Sequence, residues 1–416
     1  MAKSHKILLL FCLFTVVFPF VSGSNRADGA SAPRPEKVYG VNRSGAEFGP
    51  QKLPGVEGKD YIYPTDTEIL TSFSSKGLTV VRLPFLWERL QAKKFGELNQ
   101  SGVTALAAFL DSAATANTKV ILDLHNYGRY YHTPLQEEDN AALADVWVKL
   151  LTALKQKPAL WGAELMNEPH DLPGGSTAWK NIMQTTVTEI RKVDTKTTLL
   201  IPGYSWQSAY FWQDNNRDLL IADPAGKLLY AAHIYFDKDF TGTYASKVTS
   251  AATLGTERIL PFLQWLKTHK VRGILTEYGA PSADPQALAI MRNMLDTVDN
   301  NDELVGAIYW SSGPWWGDYP LSIEPEEGKQ KPQMDIVLNF PSRANPAKLP
   351  TSIKVGSMVQ FKNNPTIFLI EQTGLRPFAD FVTYQAYKEE NPKAKLYQRT
   401  EKSSLYTIRW QPVSQE

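Results

Sequence analysis

KVILDLHNYGRY, residues 119–130, is a short run rich in Val, Ile and Leu that ends abruptly in polar and aromatic groups. Working outward in both directions, the same texture recurs at Lys37–Asn42, Leu78–Leu83, Trp161–Met166, Thr198–Pro202, Leu228–Ile234, Arg272–Thr276 and Leu304–Trp310. With Lys119–Leu124 these make eight runs whose starts lie 30 to 44 residues apart, room each time for one strand, one helix and two loops. Eight such units spell an α/β fold of the (β/α)8, or TIM barrel, type.

The intervening segments carry helical periodicity. Ser101 is placed to cap a helix in which Val103, Leu106, Leu110 and Ala113 or Ala114 share a face, and Asp139 to start another with Leu143, Val146, Trp147, Leu150 and Leu154. In 176–193 the apolar stripe is Trp179, Ile182, Met183, Val187 and Ile190, spaced to bury one helix face against strands. Asp284 followed by Pro285 reads as an N-cap with proline at the first helical position. The barrel unit therefore spans about residues 37–345.

The 416 residues include 44 basic and 43 acidic side chains and one cysteine. That balance argues against a general nucleic-acid binder, and one cysteine excludes a disulfide scaffold or a cysteine-rich zinc site. Residues 1–23 read as a signal peptide, since Lys3 and Lys6 precede the apolar stretch Ile7–Val21 and small residues follow at Ser22, Gly23 and Ser24. Cys12 lies inside that stretch, so a cleaved, secreted chain would hold no cysteine and depend on its core alone. Residues 24–36, small, polar and proline-containing, form a linker. The expectation is an extracellular or periplasmic monomer, free of the membrane after cleavage.

In a TIM barrel the chemistry gathers at the C-terminal ends of the strands. There the sequence places Asn42-Arg43, Arg82, His125-Asn126-Tyr127, Asn167-Glu168-Pro169, Tyr204-Ser205-Trp206, His233-Ile234-Tyr235, Glu277-Tyr278-Gly279 and Trp310. Glu168 and Glu277 leave the fourth and seventh strands and face one another across the mouth. Two carboxyls on one cleft are what glycoside hydrolysis requires: a protonated acid for the leaving oxygen and an ionised group for the anomeric carbon. The histidines belong to no HExxH or comparable ligand cluster, and no glycine-rich phosphate loop occurs, so no metal or other cofactor is expected.

GVNRSGAEF, VRLP, LDLHNYGRY, MNEPHD, HIYFD, TEYG and IYW, in that order over residues 37–345, together resemble glycoside hydrolase family 5 of clan A, and within it the secreted endo-β-1,4-glucanases, or cellulases. The resemblance implies Glu168 as general acid/base, Glu277 as nucleophile, and Asn167 as a partner of the sugar 2-hydroxyl. It further implies that Arg82 holds the nucleophile ionised, and that His233 and Tyr235 attend the acid/base and the nucleophile respectively. His125, with Asn126 alongside, would bond the sugar next to the cleaved bond, and Trp310 would be the plate beneath it. The clan retains anomeric configuration, so the carboxyls should stand about 5 to 5.5 Å apart. The implied partner is β-1,4-glucan, with β-mannan or another β-1,4-glycan as the alternative; a carbohydrate-binding barrel without catalysis would keep the aromatics and lose a carboxylate.

The chain is rich in aromatics, with 11 Trp, 18 Tyr and 18 Phe. Trp87, Trp206, Trp212, Trp315 and Trp316 fall in rim loops and are candidates for stacking on sugar faces, whereas Trp147, Trp161, Trp179 and Trp265 fall on helices or strands and are assigned to the core. Residues 351–416 differ in texture. Short β-prone runs at Ser357–Phe361, Thr366–Glu371, Phe381–Tyr387 and Leu405–Trp410 suggest a small β-rich module. Its aromatics Phe361, Phe368, Tyr384, Tyr387 and Trp410 would suit a cellulose-binding face, but a module of this size needs them for its own core.

Overall fold

Side chains two apart on a strand share a face, and this parity organises the barrel. The computed structural model describes residues 37–325, 329–341, 356–361, 367–371, 374–378 and 381–399. The expected signal peptide, the linker, Cys12 and the run Leu405–Trp410 lie outside the described residues. The eight apolar runs form strands β1 (Val38–Arg43), β2 (Val80–Phe85), β3 (Lys119–Leu124), β4 (Leu160–Glu164), β5 (Thr198–Pro202), β6 (Leu228–Ile234), β7 (Gly273–Tyr278) and β8 (Leu304–Ser312). All pair in parallel and close in the order β1-β8-β7-β6-β5-β4-β3-β2.

Each strand is followed by a helix: α1 (Thr67–Ser75), α2 (Gln100–Thr115), α3 (Asn140–Leu154), α4 (Gly175–Arg191), α5 (Trp212–Asn215), α6 (Leu254–His269), α7 (Pro285–Asn300) and α8 (Pro332–Val337). The shortest strand-to-strand interval, between β5 and β6, holds only the single turn α5. The stripes expected of α3 and α4 are buried against the outside of the barrel, with Trp147, Trp179 and Trp265 among the largest fully buried side chains; Trp161 is partly buried and packs on the inner cluster.

The helix starts show how capping chemistry is chosen. The cap of α2 is Asn99 rather than Ser101, because the Asn99 side-chain Oδ1 accepts from the Ser101 backbone N–H at 3.1 Å. Asp139 does precede α3, but its carboxylate is turned away to accept from Gln136 N and from Lys94. Asp284 caps α7 as expected, with Oδ1 accepting from Gln286 N and Ala287 N at 3.1 Å each while Oδ2 accepts from Val248 N at 2.8 Å. Asp284→Ala is therefore expected to cost about 1–2 kcal/mol in urea unfolding, and Asp284→Asn clearly less.

Inside the barrel the lower layer is apolar, built from Val80, Ile121, Leu200, Leu229, Ala231, Ile274, Val305 and Ile308. Two residues further along the same strands, the inward side chains turn polar: Arg82 after Val80, Asp123 after Ile121, Glu164 after Gly162, His233 after Ala231 and Thr276 after Ile274. A local irregularity adds one more. Ala232 pairs with Leu275 but His233 pairs with Glu277, so β7 carries Thr276 as an extra residue against β6. Such a bulge lets two consecutive residues, Thr276 and Glu277, both reach the interior.

The C-terminal module is β-rich, with strands β9 (Met358–Phe361), β10 (Ile367–Glu371), β11 (Gly374–Pro377) and β12 (Leu396–Arg399) in the order β11-β10-β9-β12. The expected strand Phe381–Tyr387 is instead part of a helix, α9 (Phe381–Glu390). Its β-prone residues yield to packing: Tyr384 and Tyr387, three apart, both contact Phe378, with ring centroids 5.7 and 5.4 Å away. Phe368, Tyr384 and Tyr387 are thus engaged in the module's own core clusters.

Candidate active site

The polar upper layer of the barrel is organised around one guanidinium. Arg82 is fully buried and all its N–H groups are directed at acceptors: Nε to Glu164 Oε2 at 2.6 Å, Nη1 to Asn42 Oδ1 and Glu277 Oε1 at 2.8 Å each, Nη2 to Asn167 Oδ1 at 2.7 Å and Asp123 Oδ2 at 3.0 Å. A charge withdrawn from water persists only when paired, and three carboxylates converge here on one cation. Their field more than offsets the burial that opposes the cation and holds Arg82 firmly protonated.

Glu277, on the bulge of β7, accepts from Arg82 on one oxygen and from the Tyr235 hydroxyl on the other, at 2.9 Å. Glu168 follows β4 in the left-handed backbone region, φ 42°. A non-glycine residue held there costs about 1–3 kcal/mol and must be held by its surroundings. The hold is Gln207, whose Oε1 accepts from Glu168 N at 2.7 Å and whose Nε2 donates to Glu164 Oε1 at 2.8 Å. The Glu168 side chain meets His233, Nδ1 to Oε1 at 2.7 Å. A carboxylate oxygen of Glu168 and one of Glu277 lie within 4.8 Å of each other.

Burial raises both carboxyls, but their hydrogen-bond partners differ. Withdrawal from water pushes Glu168 up to about 7, against the opposing pull of His125 and Arg82. Burial pushes Glu277 upward too, but the charge of Arg82 opposes it, and both its oxygens accept hydrogen bonds that favour the ionised form. Burial also drives His233 down to about 4, so that ring is neutral near pH 7. His125 Nδ1–H donates to Asp123 Oδ2 at 2.6 Å, which leaves Nε2 facing Asn167 Nδ2 at 3.3 Å and the Tyr127 hydroxyl at 3.1 Å.

Two hollows flank this cluster. The larger, about 660 Å³, is bounded by Glu168, His233 and Tyr235 on one side and by Trp206, Tyr210, Phe211 and Phe240 on the other. The smaller, about 270 Å³, is walled by His125, Asn126, Trp310, Trp316, Phe48 and Glu47. Trp310 lies parallel to His125, ring centroids 5.5 Å apart, and meets Trp316 edge-on at 5.8 Å. Trp206, 48% exposed, stacks on His170 at 4.4 Å, and Trp315, 42% exposed, stacks on Phe48 at 6.4 Å.

Arg82, His125, Asn167, Glu168, His233, Tyr235, Glu277 and Trp310 are therefore brought together at the barrel mouth, and Trp206, Trp315 and Trp316 stand at its rim. Two expectations fail. Trp87 is 0% exposed, because the chain turns into a helical turn at Trp87–Leu90 that points the indole inward to Gln91 Oε1 and against Tyr130. Trp212 is also 0% exposed, and packs on Phe262 and Trp265 of α6. Gly203 clears the space, since a Cβ there would stand 2.4 Å from the Trp212 ring. Asn126 lines the smaller hollow, but its amide is engaged on both sides, donating to Glu88 and accepting from Trp87 N, and so ties the β2 and β3 loops together.

Asp123, Glu164, Thr276 and Gln207 belong to this site and lie outside the sequence-derived set. Three of them sit inside apolar runs rather than after them. The usable signal was a carboxylate within VILDL and another within WGAEL, since an acid in a buried strand needs a buried partner.

The sequence model of the family Cellulase (glycosyl hydrolase family 5) matches residues 41–315. Endo-beta-1,4-glucanase B of Emericella nidulans is 33% identical over 295 residues, which cover 70% of this chain and 87% of that protein. Among solved structures, Pseudomonas stutzeri endoglucanase Cel5A in complex with cellobiose is similar with a TM-score of 0.70 and 40% identity, covering 74% of this chain and 95% of that one. An endo-beta-1,4-glucanase from Xanthomonas axonopodis pv. citri is similar with a TM-score of 0.70 and 34% identity, covering 74% and 99%. Barrel, paired carboxyls and relatives converge on one assignment: this chain belongs to glycosyl hydrolase family 5, the cellulase family, and is a glycoside hydrolase.

Proposed function

We propose that the enzyme is a secreted, retaining endo-β-1,4-glucanase that cuts internal bonds of cellulose and related β-glucans by double displacement. The observation that carries the reading is the pair Glu168 and Glu277, whose oxygens approach within 4.8 Å. An oxygen approach of that size agrees with the roughly 5–5.5 Å carboxyl separation of retaining enzymes better than with the about 6.5–9.5 Å of an inverting pair. The relatives carry the substrate class: one solved neighbour holds cellobiose and another, XacCel5A, cellopentaose.

In this reading Glu168 is the general acid. It protonates the oxygen of the departing chain, seated in the larger hollow against Trp206, while Glu277 attacks the anomeric carbon. Arg82 and Tyr235 keep Glu277 ionised and aimed. The remaining sugar lies over Trp310 with His125 and Asn167 in reach of its hydroxyls. Glu168, now a carboxylate, draws a proton from water, and the water cleaves the Glu277 ester with a second inversion.

Loss of viscosity well ahead of reducing-end release on carboxymethyl cellulose is expected. Preference for mannan, or sugar release without viscosity loss, would overturn the substrate assignment.

The acid form of Glu168 also sets a pH dependence. Because it is the protonated carboxyl that acts and its value lies at about 7, kcat/KM on a soluble β-glucan is expected to hold below neutrality and fall as pH rises through about 7. A profile still flat to about pH 9 would remove Glu168 from the acid role.

A further inference from the structure

Beneath the two glutamates, Glu164 links them through a chain of hydrogen bonds whose polarity can be worked out atom by atom. Gln207 must present its carbonyl to the Glu168 N–H, so its NH2 faces Glu164 Oε1. Oε1 is thereby an acceptor, and the Thr276 hydroxyl, 3.0 Å away, gives it its only proton. What Thr276 Oγ1 then offers His233 Nε2, at 3.1 Å, is a lone pair.

We propose that Thr276 is a positioning residue that fixes the His233 proton on Nε2, so that the bare Nδ1 of His233 accepts a hydrogen bond from the Glu168 carboxyl O–H and holds the acid form ready between turnovers. The inference rests on the glycosidase reading given above and adds to it a residue that touches no substrate, since Thr276, Glu164 and Gln207 are all fully buried. It explains why the Nδ1–Oε1 contact is 2.7 Å between a neutral ring and a carboxyl: the carboxyl is the donor. It also gives Glu168 its second task. Once its proton has gone to the leaving oxygen, the carboxylate faces a lone pair rather than an N–H, which disfavours the charged form and makes Glu168 a willing base for the water step.

The groups facing His233 are Glu168, Glu277 and Thr276, with Arg82, Glu164 and His125 the next charged or titratable neighbours. Of these, Glu277 Oε2, 3.5 Å from Nδ1, favours the opposite tautomer. Its claim is weakened because that oxygen already accepts from Tyr235. Thr276 is the group that decides, and the bulge in β7 is what turns it inward beside Glu277.

The test uses the full chain with 15N-labelled histidine rings, the His233 signals being assigned by their loss in His233→Gln. Nε2–H is expected for His233 in the unsubstituted protein. In Thr276→Val the lone pair at Nε2 is lost, and the proton is expected to move to Nδ1, where it stabilises ionised Glu168. The alkaline limb of kcat/KM should then move down by about one pH unit. That lowers kcat/KM on the order of fivefold at pH 7 but less than about twofold at pH 5, with KM nearly unchanged. Thr276→Ser keeps the hydroxyl and should restore both tautomer and profile. An Nδ1–H signal before substitution, an even loss of activity across pH in Thr276→Val, or a serine variant that behaves like valine would each overturn the proposal. If the valine variant does not fold, the tautomer in the unsubstituted protein and in Thr276→Ser still decides. The ring signals need no turnover, so Nε2–H in a protein inactive on every β-glucan would overturn the β-glucanase reading and support the tautomer assignment.

Discussion

Glu277→Gln should lower turnover by at least about 10⁴-fold with the barrel intact, because the amide keeps the hydrogen bonds to Arg82 and Tyr235 in part but cannot form the ester. Glu168→Gln should lose about 10²–10⁴-fold on unactivated β-glucan and far less on an aryl glycoside whose leaving group needs no proton. The alanine variants separate the two roles by stereochemistry. In Glu277→Ala, azide can occupy the vacated space and attack the anomeric carbon once, while Glu168 protonates the departing oxygen, and the product is the α-glycosyl azide. In Glu168→Ala with an aryl glycoside, the ester on Glu277 forms first and azide then displaces it, giving the β-glycosyl azide. Exchange of these two products would reverse the assignment. Wild-type turnover in both glutamine variants would sink it.

The second large effect is on stability. Arg82→Met should destabilise the protein by about 3–5 kcal/mol, read as a lowered denaturant midpoint, because Asp123, Glu164 and Glu277 would remain buried without their shared cation. Lysine cannot substitute: one ammonium has three donors, and here five N–H groups reach separate acceptors on four strands and the Asn167 loop. The deficit has a defined pH dependence. Without Arg82 the three carboxyls lose the cation that favours their ionised forms, so the folded state of the variant takes up protons more readily than that of the unsubstituted protein as pH falls. The loss relative to the unsubstituted protein should therefore shrink toward acid pH and be largest at neutrality and above. A loss below about 1 kcal/mol at neutral pH would mean that the carboxyls escape burial when the arginine is gone.

The architecture was legible because a parallel barrel strand writes itself as a short apolar run, and eight such runs at barrel spacing leave few alternatives. Boundaries of β3, β5 and β6 match the runs residue for residue, while the others shift by one or two positions. The main cluster was legible for the same reason, since functional groups concentrate just beyond the runs. Asp123, Glu164 and Thr276 escaped because they lie within the runs, where parity rather than position decides who faces inward. The tryptophans show the limit of loop-based reading. Trp87 and Trp206 both follow strands by a few residues, yet a helical turn buries one and a left-handed backbone, φ 55°, leaves the other at the rim.

By itself, then, the sequence determined the period of the chain, the eight strands, and the identity of the two carboxyls at strand ends, because those follow from local hydrophobicity and from position along a strand. The tertiary structure alone decided which groups pair with which. The bulge that turns both Thr276 and Glu277 inward, the glycine that admits Trp212, and the single arginine shared by three acids each depend on contacts between residues about 10 to 200 positions apart. A hydrogen bond is a matter of tenths of an ångström, and no spacing in the chain encodes that.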